Sequence, residues 1–493
     1  MNPQKHNMAV LGQIAKLIPR KIIESLRKKH KIQTRSFTAT SHVVAMIYSQ
    51  LTHALSLNDV CDGMKNYHGI LSQIRDCVPP SRNGLAHANK NRPAAMAEEL
   101  FWIVYNELKT HDPEFFQSSR NYPGLPRRFK RAIHIVDSST IPLIAKCMDW
   151  AKHRSQKAAA KLHMDLLLGA FLPGFAVVNR AKDSDPKMAW EVCANIKAGE
   201  IVVFDKAYCD FKHLATLNER GVFGVTRAKD NIKYEIMGQQ PVKKSSLQAE
   251  VSSNKAKAMG QQPVIIADCS IALTCPGTVK HYSGKLRMVI ADVWVDNKLK
   301  RMAFLSNNVT WAASSICELY KSRWAIKVFF KEIKQTLQLA DFMVTSENAV
   351  KWQIWTALLT YLLLRFIAWK HQWKHSFHRL FTLIRAILWN FLNLETVLKA
   401  YEKVKSKSNK PPPPVPKQME FYFLNTFELK NKDLTKGGLF SRNTKLKLCQ
   451  KTPFLQNYGI FVKLILFFWR LRNAVAFFCL PLSLRKNKIF RKG

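Results

Sequence analysis

Between Arg131 and Arg227 short apolar runs alternate with amphipathic stretches, and this order restricts the fold more than any other feature of the chain. RAIHIVDSSTI is one apolar run, and KLHMDLLLGAFLPGFAVVNR supplies two more. PKMAWEVCANIKAG has helical period and leads into EIVVFD; CDFKHLATLNERG is a second helical stretch, followed by VFGVTR. Short runs of β-branched and aliphatic residues bounded by turns read as strands, whereas apolar residues three and four apart read as helices. Three strands, a helix, a strand, a helix and a strand make a mixed α/β sheet. Two of the runs end in aspartate, Asp137 and Asp205.

The flanking sequence divides into further regions. Residues 1–75 read as a helical, DNA-binding domain, with a helix start near Ser56 or Asn58. Lys16, Arg20, Lys21, Arg27, Lys28, Lys29 and Lys31 crowd its first helices; a DNA-contacting face and a solvated charged face explain them equally well. Residues 76–125 form a helical bridge, and 126–345 hold the α/β domain with a β-rich insertion at about 228–308. The hexapeptide MGQQPV occurs at 237 and again at 259 within that insertion, a local duplication. Residues 346–395 are apolar helices expected to pack on the sheet. From 396 onward comes a Pro-rich linker, KVKSKSNKPPPPVPK, and a basic tail that has no acidic residue beyond Asp433. Lys463, Arg470 and Arg472 interrupt the tail's apolar segment, which argues against a membrane span and for a disordered or vestigial extension.

Charge narrows the partner. Lys and Arg number 77 against 34 Asp and Glu, a net charge of +43, which calls for a polyanion and favours nucleic acid over membrane. The ten cysteines form no CxxC pair, so neither a zinc site nor a disulfide framework is expected. MNPQKHNMAVLGQ lacks the apolar core of a signal peptide, and the expected location is the cytoplasm, with the nucleoid. No phosphate-binding glycine loop occurs, so no ATP dependence is implied.

A lone aspartate at a strand end is usually a turn or cap residue. Two on neighbouring strands of a very basic protein can hold divalent metal through oxygen ligands, and paired metals promote phosphodiester transfer. Further on, ELYKSRWAIKVFFKEIKQ reads as one helix. Tyr320, Arg323, Lys327, Lys331 and Lys334 follow one another at three- or four-residue steps and share a face, which could equally be a solvated basic surface. Trp324, Phe329 and Phe330 lie on other faces and read as core. Asp183 and Asp185 read as a turn before Pro186, and His153 and His163 as surface or core histidines.

Several blocks occur in the order of a known family: RSFTATSHVVAMIYSQLTHALSLNDV, HIVDSSTI, AAAKLHMDL, VFDKAYCDF, GVTRAKDN and FLSNNVTWAASSICELYKSRWAIKVFFKEIKQ. Over residues 1–395 the chain resembles the DDE transposases of the insertion-sequence IS-four family. The resemblance implies a ribonuclease-H-like catalytic fold preceded by an all-α domain. It implies Asp137 and Asp205 as metal-binding carboxylates with Mg²⁺ or Mn²⁺ as cofactor. It places Tyr320, Arg323 and Lys334 near the phosphates of the cut site, with Lys331 beside them on the DNA-binding face. Trp294 could stack on an extruded base, as a tryptophan does in some relatives, although packing is the commoner role of a strand aromatic. The implied partner is double-stranded DNA, both element ends and target, bound as a homodimer.

One position departs from that pattern. The signature Y-x2-R-x3-E-x6-K requires a glutamate where this chain has Lys327. Glu332 lies about 140° around the helix from it, and Glu318 roughly opposite, so neither replaces the missing carboxylate. Like unit charges 4 Å apart cost about 4 kcal/mol at an effective dielectric of 20. The expected outcome is retained DNA binding with impaired strand cleavage, or a catalytically dead DNA-binding remnant.

Overall fold

The computed structural model describes residues 4–406, apart from 118–128, 144–146, 155–156, 181–184, 243–262, 296–297, 338 and 340–342. Residues beyond Ser406, which include the linker prolines and the basic tail, lie outside the described residues, as do Asp183 and most of the second MGQQPV copy; residues 396–406, expected to begin the linker, belong instead to a helix, Leu394–Ser406.

The chain begins with helices α1 (Val10–Lys16), α2 (Arg20–Lys29), α3 (Ala39–Thr52), α4 (Leu57–Asn66), α5 (His68–Ser72), α6 (Arg82–Asn91), α7 (Ala95–His111) and α8 (Pro113–Gln117). Local chemistry sets their ends. Thr38 Oγ1 accepts from the Ser41 N–H at 3.0 Å and starts α3. Ser56 and Asp59 form a reciprocal capping box that starts α4, so Ser56 rather than Asn58 is the cap. Helix α3 is buried along nearly its whole length.

The sheet follows. Its first part comprises β1 (Ile133–Leu143), α9 (Met148–Ala151), β2 (Lys152–Arg154), β3 (Lys157–Leu167), β4 (Leu172–Arg180), α10 (Asp185–Val192), β5 (Ile201–Phe204), α11 (Phe211–Glu219) and β6 (Phe223–Arg227). Strands β1, β3 and β4 form an antiparallel meander, while β5 pairs parallel to β1 and β6 parallel to β5. The resulting order, β4-β3-β1-β5-β6, is the ribonuclease-H-like arrangement. Strand β5 is IVVF, buried at every position, as a parallel strand covered on both faces must be. Alternate residues feed two cores. Ile135, Val203 and Val225 join one cluster, and Val136, Val202 and Phe204 join another with Leu214 and Leu217 of α11.

The β-rich stretch expected as an insertion does not stand apart. Strands β7 (Tyr234–Gln239), β8 (Val264–Leu273), β9 (Leu286–Val295) and β10 (Lys298–Ser306), with the short α12 (Pro276–Val279), continue the same sheet. The join is antiparallel pairing of β10 with β6, from Phe304 opposite Arg227 to Ser306 opposite Val225. Buried Arg287 and Asp268 lock β9 to β8 by two hydrogen bonds, 2.8 and 2.6 Å.

After the sheet come α13 (Ala313–Ser322), α14 (Trp324–Lys331), α15 (Glu347–Lys370), α16 (Phe377–Ala386) and α17 (Leu394–Ser406). Helix α15 does not lie mainly on the sheet, as its apolar sequence suggested. It runs among α3, α6, α7 and α16, buried on nearly all sides, and so has little amphipathic character. None of the described helices is long and apolar enough to cross a membrane.

A buried ion pair sits behind the strand ends. His134 Nδ1 of β1 lies 2.8 Å from Asp165 Oδ2 of β3, and His134 Nε2 lies 3.3 Å from Glu200 Oε2. The approach is close enough that a Cβ on Gly174 would fall 2.5 Å from the Asp165 carboxylate, so only glycine fits there. Burial opposes the imidazolium charge, but the Asp165 and Glu200 carboxylates outweigh it and raise His134 to about 10. A histidine whose pKa is raised by folding adds stability that is complete below its unfolded value, about 6.5, and fades as pH approaches 10. Urea unfolding of the protein should therefore lose a few kcal/mol between pH 6 and pH 10, and His134→Gln should remove most of that slope.

Candidate active site

Parallel pairing of β1 with β5 ends at Val136 opposite Phe204, so the next residues, Asp137 and Asp205, come side by side. Asp137 is not the last residue of its strand. β1 runs on to Leu143 because β3 continues to pair with it, and Asp137 faces Met164. Asp205 directly follows β5 and caps a 3₁₀ turn, its Oδ1 accepting from the Ala207 N–H at 3.1 Å.

A guanidinium joins the two carboxylates. Arg323 Nη1 lies 2.9 Å from Asp137 Oδ2 and 3.2 Å from Asp205 Oδ2. The arginine side chain is only 8% exposed, against 16% for Asp137 and 30% for Asp205. Burial pushes the Asp137 carboxyl above the ordinary aspartate value; Arg323 and the Ser138 N–H, 2.8 Å from Oδ1, pull it back, and Asp205 adds to the upward shift.

The segment expected as one helix is broken where this contact forms. α13 ends at Ser322, α14 begins at Trp324, and Arg323 occupies the junction. A π-helical turn over Glu332–Thr336 then widens the backbone. The expected common face consequently splits. Arg323 turns inward, and Tyr320, half-buried, lies under its guanidinium with 5.5 Å to the ring centroid. Lys327 is exposed, its Nζ 4.1 Å above the Trp324 ring. Lys331 is exposed as well. Lys334 donates to the Thr140 carbonyl of β1 at 2.6 Å, and burial lowers its pKa from the ordinary lysine value.

A cleft of about 490 Å³ opens beside Asp205, walled by Arg227, Trp294, Tyr320, Arg323 and Trp324. Phe329 and Phe330 are core residues as expected, but Trp324 is 50% exposed and belongs to this wall. Trp294, at the far end of β9, reaches the same cleft rather than packing away in the sheet. Glu318 also lines it. Glu332 points elsewhere, held 2.6 Å from Arg365 Nη2 and 3.1 Å from the Tyr361 hydroxyl. His163 is a buried core residue bonded to the Tyr208 hydroxyl at 2.9 Å.

The donor set does not fit a two-metal centre. Two carboxylates face one another across a guanidinium, the third position is an ammonium, and no cluster of three potential metal ligands occurs among the described residues. Sequence reasoning found both aspartates through their strand ends, yet could not find the Arg323 bridge, a tertiary contact with residues more than a hundred positions away.

The sheet has the ribonuclease-H-like order, with two carboxylates where its central parallel pairing ends and a basic helix across them. Residues 128–363 match the transposase DDE domain family, a class that works with divalent metal, and the chain is similar to transposases of insertion sequences. Residues 6–74 match a domain of unknown function, DUF4372. The transposase y4zB of Sinorhizobium fredii is 27% identical over 59% of this chain and 72% of its own length. A transposase for element IS5377 of Geobacillus stearothermophilus is 27% identical over 49% of this chain and 58% of its own. One for element IS4SA of Synechocystis is 25% identical over 47% and 59%. The chain thus spans less than two thirds of the length of the last two relatives.

Removing one member of a buried charge group costs about 3–5 kcal/mol, because the partners stay behind unpaired. Arg323→Gln should destabilise the protein by about 3 kcal/mol at pH 7 in urea titrations. An acid whose folded pKa is raised weakens the fold once ionised, so the deficit should shrink as pH falls toward 4 and the Asp137 carboxyl takes up a proton.

Proposed function

We propose that this protein binds the terminal inverted repeats of its own insertion sequence and that strand cleavage is impaired in this copy. The observation that carries the reading is the cation content of the carboxylate site. Arg323 lies between Asp137 and Asp205, and Lys327 stands where the family signature has glutamate. Two carboxylates bridged by one buried guanidinium, with the exposed Lys327 adding positive charge nearby, are close to charge balance, which favours phosphate contact and disfavours accumulation of divalent ions. In this reading Tyr320, Arg323, Lys331 and Lys334 serve the DNA backbone near the cut site, Arg323 as a planar fork and the lysines as point charges. Trp294 and Trp324 would face a base displaced into the cleft, where stacking needs no sequence preference. The net charge of +43 supports a duplex partner, and synapsis of two ends implies a homodimer on DNA acting in the cytoplasm, at the nucleoid.

The test is cleavage of duplex carrying the terminal repeat, in Mn²⁺, by the natural chain and by Lys327→Glu. Removing a repulsion of about 4 kcal/mol and restoring a ligand should raise cleavage by roughly 10³-fold. Gel shifts of the same DNA should succeed for both proteins with or without metal. Equal cleavage by the two proteins would show that position 327 does not carry the third carboxylate role. Binding by both without cleavage by either would favour the second reading, a DNA-binding remnant.

A further inference from the structure

Helix α6 lies between the two segments that match known families, in the stretch read from sequence as a bridge. Its sequence, RNGLAHANKN, contains no acidic residue. Leu85, Ala88 and Asn89 are buried, whereas Arg82, Asn83, His87, Lys90 and Asn91 are exposed over an arc of about 180°. Beside it, the 30–37 loop (HKIQTRSF) is also free of acid and exposes Lys31, Gln33 and Arg35. Loop and helix enclose a cleft of about 720 Å³.

The anchorage of this helix is as informative as its surface. Arg92, just past its end, donates to the carbonyls of Thr38 at 3.0 Å and Phe37 at 2.5 Å, fixing the loop against the helix. Asn348 of α15 donates to the carbonyls of Asn89 and Arg92 at 2.9 and 2.7 Å, and the Trp352 indole donates to Arg92 O at 2.8 Å. Inside, His42 Nε2 lies 2.8 Å from Asn89 Oδ1. Free carbonyls at a helix end are usually left to water; here side chains of the central helix hold them.

We propose that α6 is the base-reading helix of this protein, lying in the major groove of the element end while Lys31 and Arg35 hold flanking phosphates. The inference rests on the end-binding reading above and names the surface responsible. The chemistry fits: the groove admits one helix, asparagine amides match the adenine edge, and arginine or lysine matches guanine. Basic side chains on the adjoining loop supply the sequence-independent contacts that set register. The basic face of α2, the obvious candidate from sequence, carries Glu24 among its cations and has Lys29 paired with Glu99 at 2.7 Å.

The experiment measures binding of the full chain to a 40-bp duplex carrying the terminal repeat of its element and to a scrambled duplex, at several salt concentrations. Combined Asn83→Ala, His87→Ala and Asn91→Ala should weaken the repeat complex roughly 10- to 100-fold and leave the scrambled complex unchanged. Lys31→Gln with Arg35→Gln should weaken both complexes and lower the salt slope by about 2. Arg82 and Lys90 of α6 are left intact in the first variant, and each substituted residue is exposed, so unchanged thermal melting separates a binding loss from a folding loss. Unchanged preference in the α6 variant, or its loss on Lys21→Gln with Lys28→Gln of α2 instead, would overturn the proposal. A natural chain that does not prefer the repeat would overturn the end-binding reading itself, and this inference with it.

Discussion

Everything at the site depends on the parallel pairing of β1 with β5. Strand β5 is apolar throughout the pairing and β1 is apolar except for the ion-paired His134, and the first residue after the pairing is an aspartate on each. Two carboxylates then meet at the edge of two hydrophobic cores, where low solvation makes their repulsion costly. Some cation has to sit with them. In this chain it is Arg323, at the junction of α13 and α14, its side chain turned inward.

The π turn that follows the α13–α14 junction is held from the opposite side. Glu332 is drawn to Arg365 of α15, whose guanidinium lies over the rings of Phe171, Tyr361 and Phe377 at 4.9, 5.1 and 5.0 Å. A cation enclosed by aromatic faces and paired with one carboxylate is well held. The segment from Arg323 to Thr336 is therefore pinned at both ends, by the aspartates and by α15, and Lys327 occupies the exposed stretch between.

Much of this was legible in the residues. The strand order followed from alternating apolar runs and turns, and Asp137 and Asp205 stood out because each closes such a run. Other features left no local trace. The continuation of the sheet through β10 depends on pairing between residues some eighty positions apart. The inward turn of Arg323 meets aspartates more than a hundred positions away. Trp324 looked like core from its spacing, yet it lies on the outer face. Helix α6 escaped notice since its polar sequence lacks the strong periodicity that marks a packed helix, and its burial partners come from α15, far along the chain.

Helix α15 also measures a distance. Asn348 holds the end of α6 and Arg365 holds Glu332, and these contacts lie seventeen residues apart on one helix, about 26 Å along its axis. That is about seven or eight base-pair steps of duplex. Adding or deleting one residue between them would also turn one contact by about 100° relative to the other. The helix thus acts as a ruler with no adjustment. If α6 reads bases as proposed, the phasing between the sequence read and the phosphate presented would be set by a length of protein, however far the bases of the ends drift.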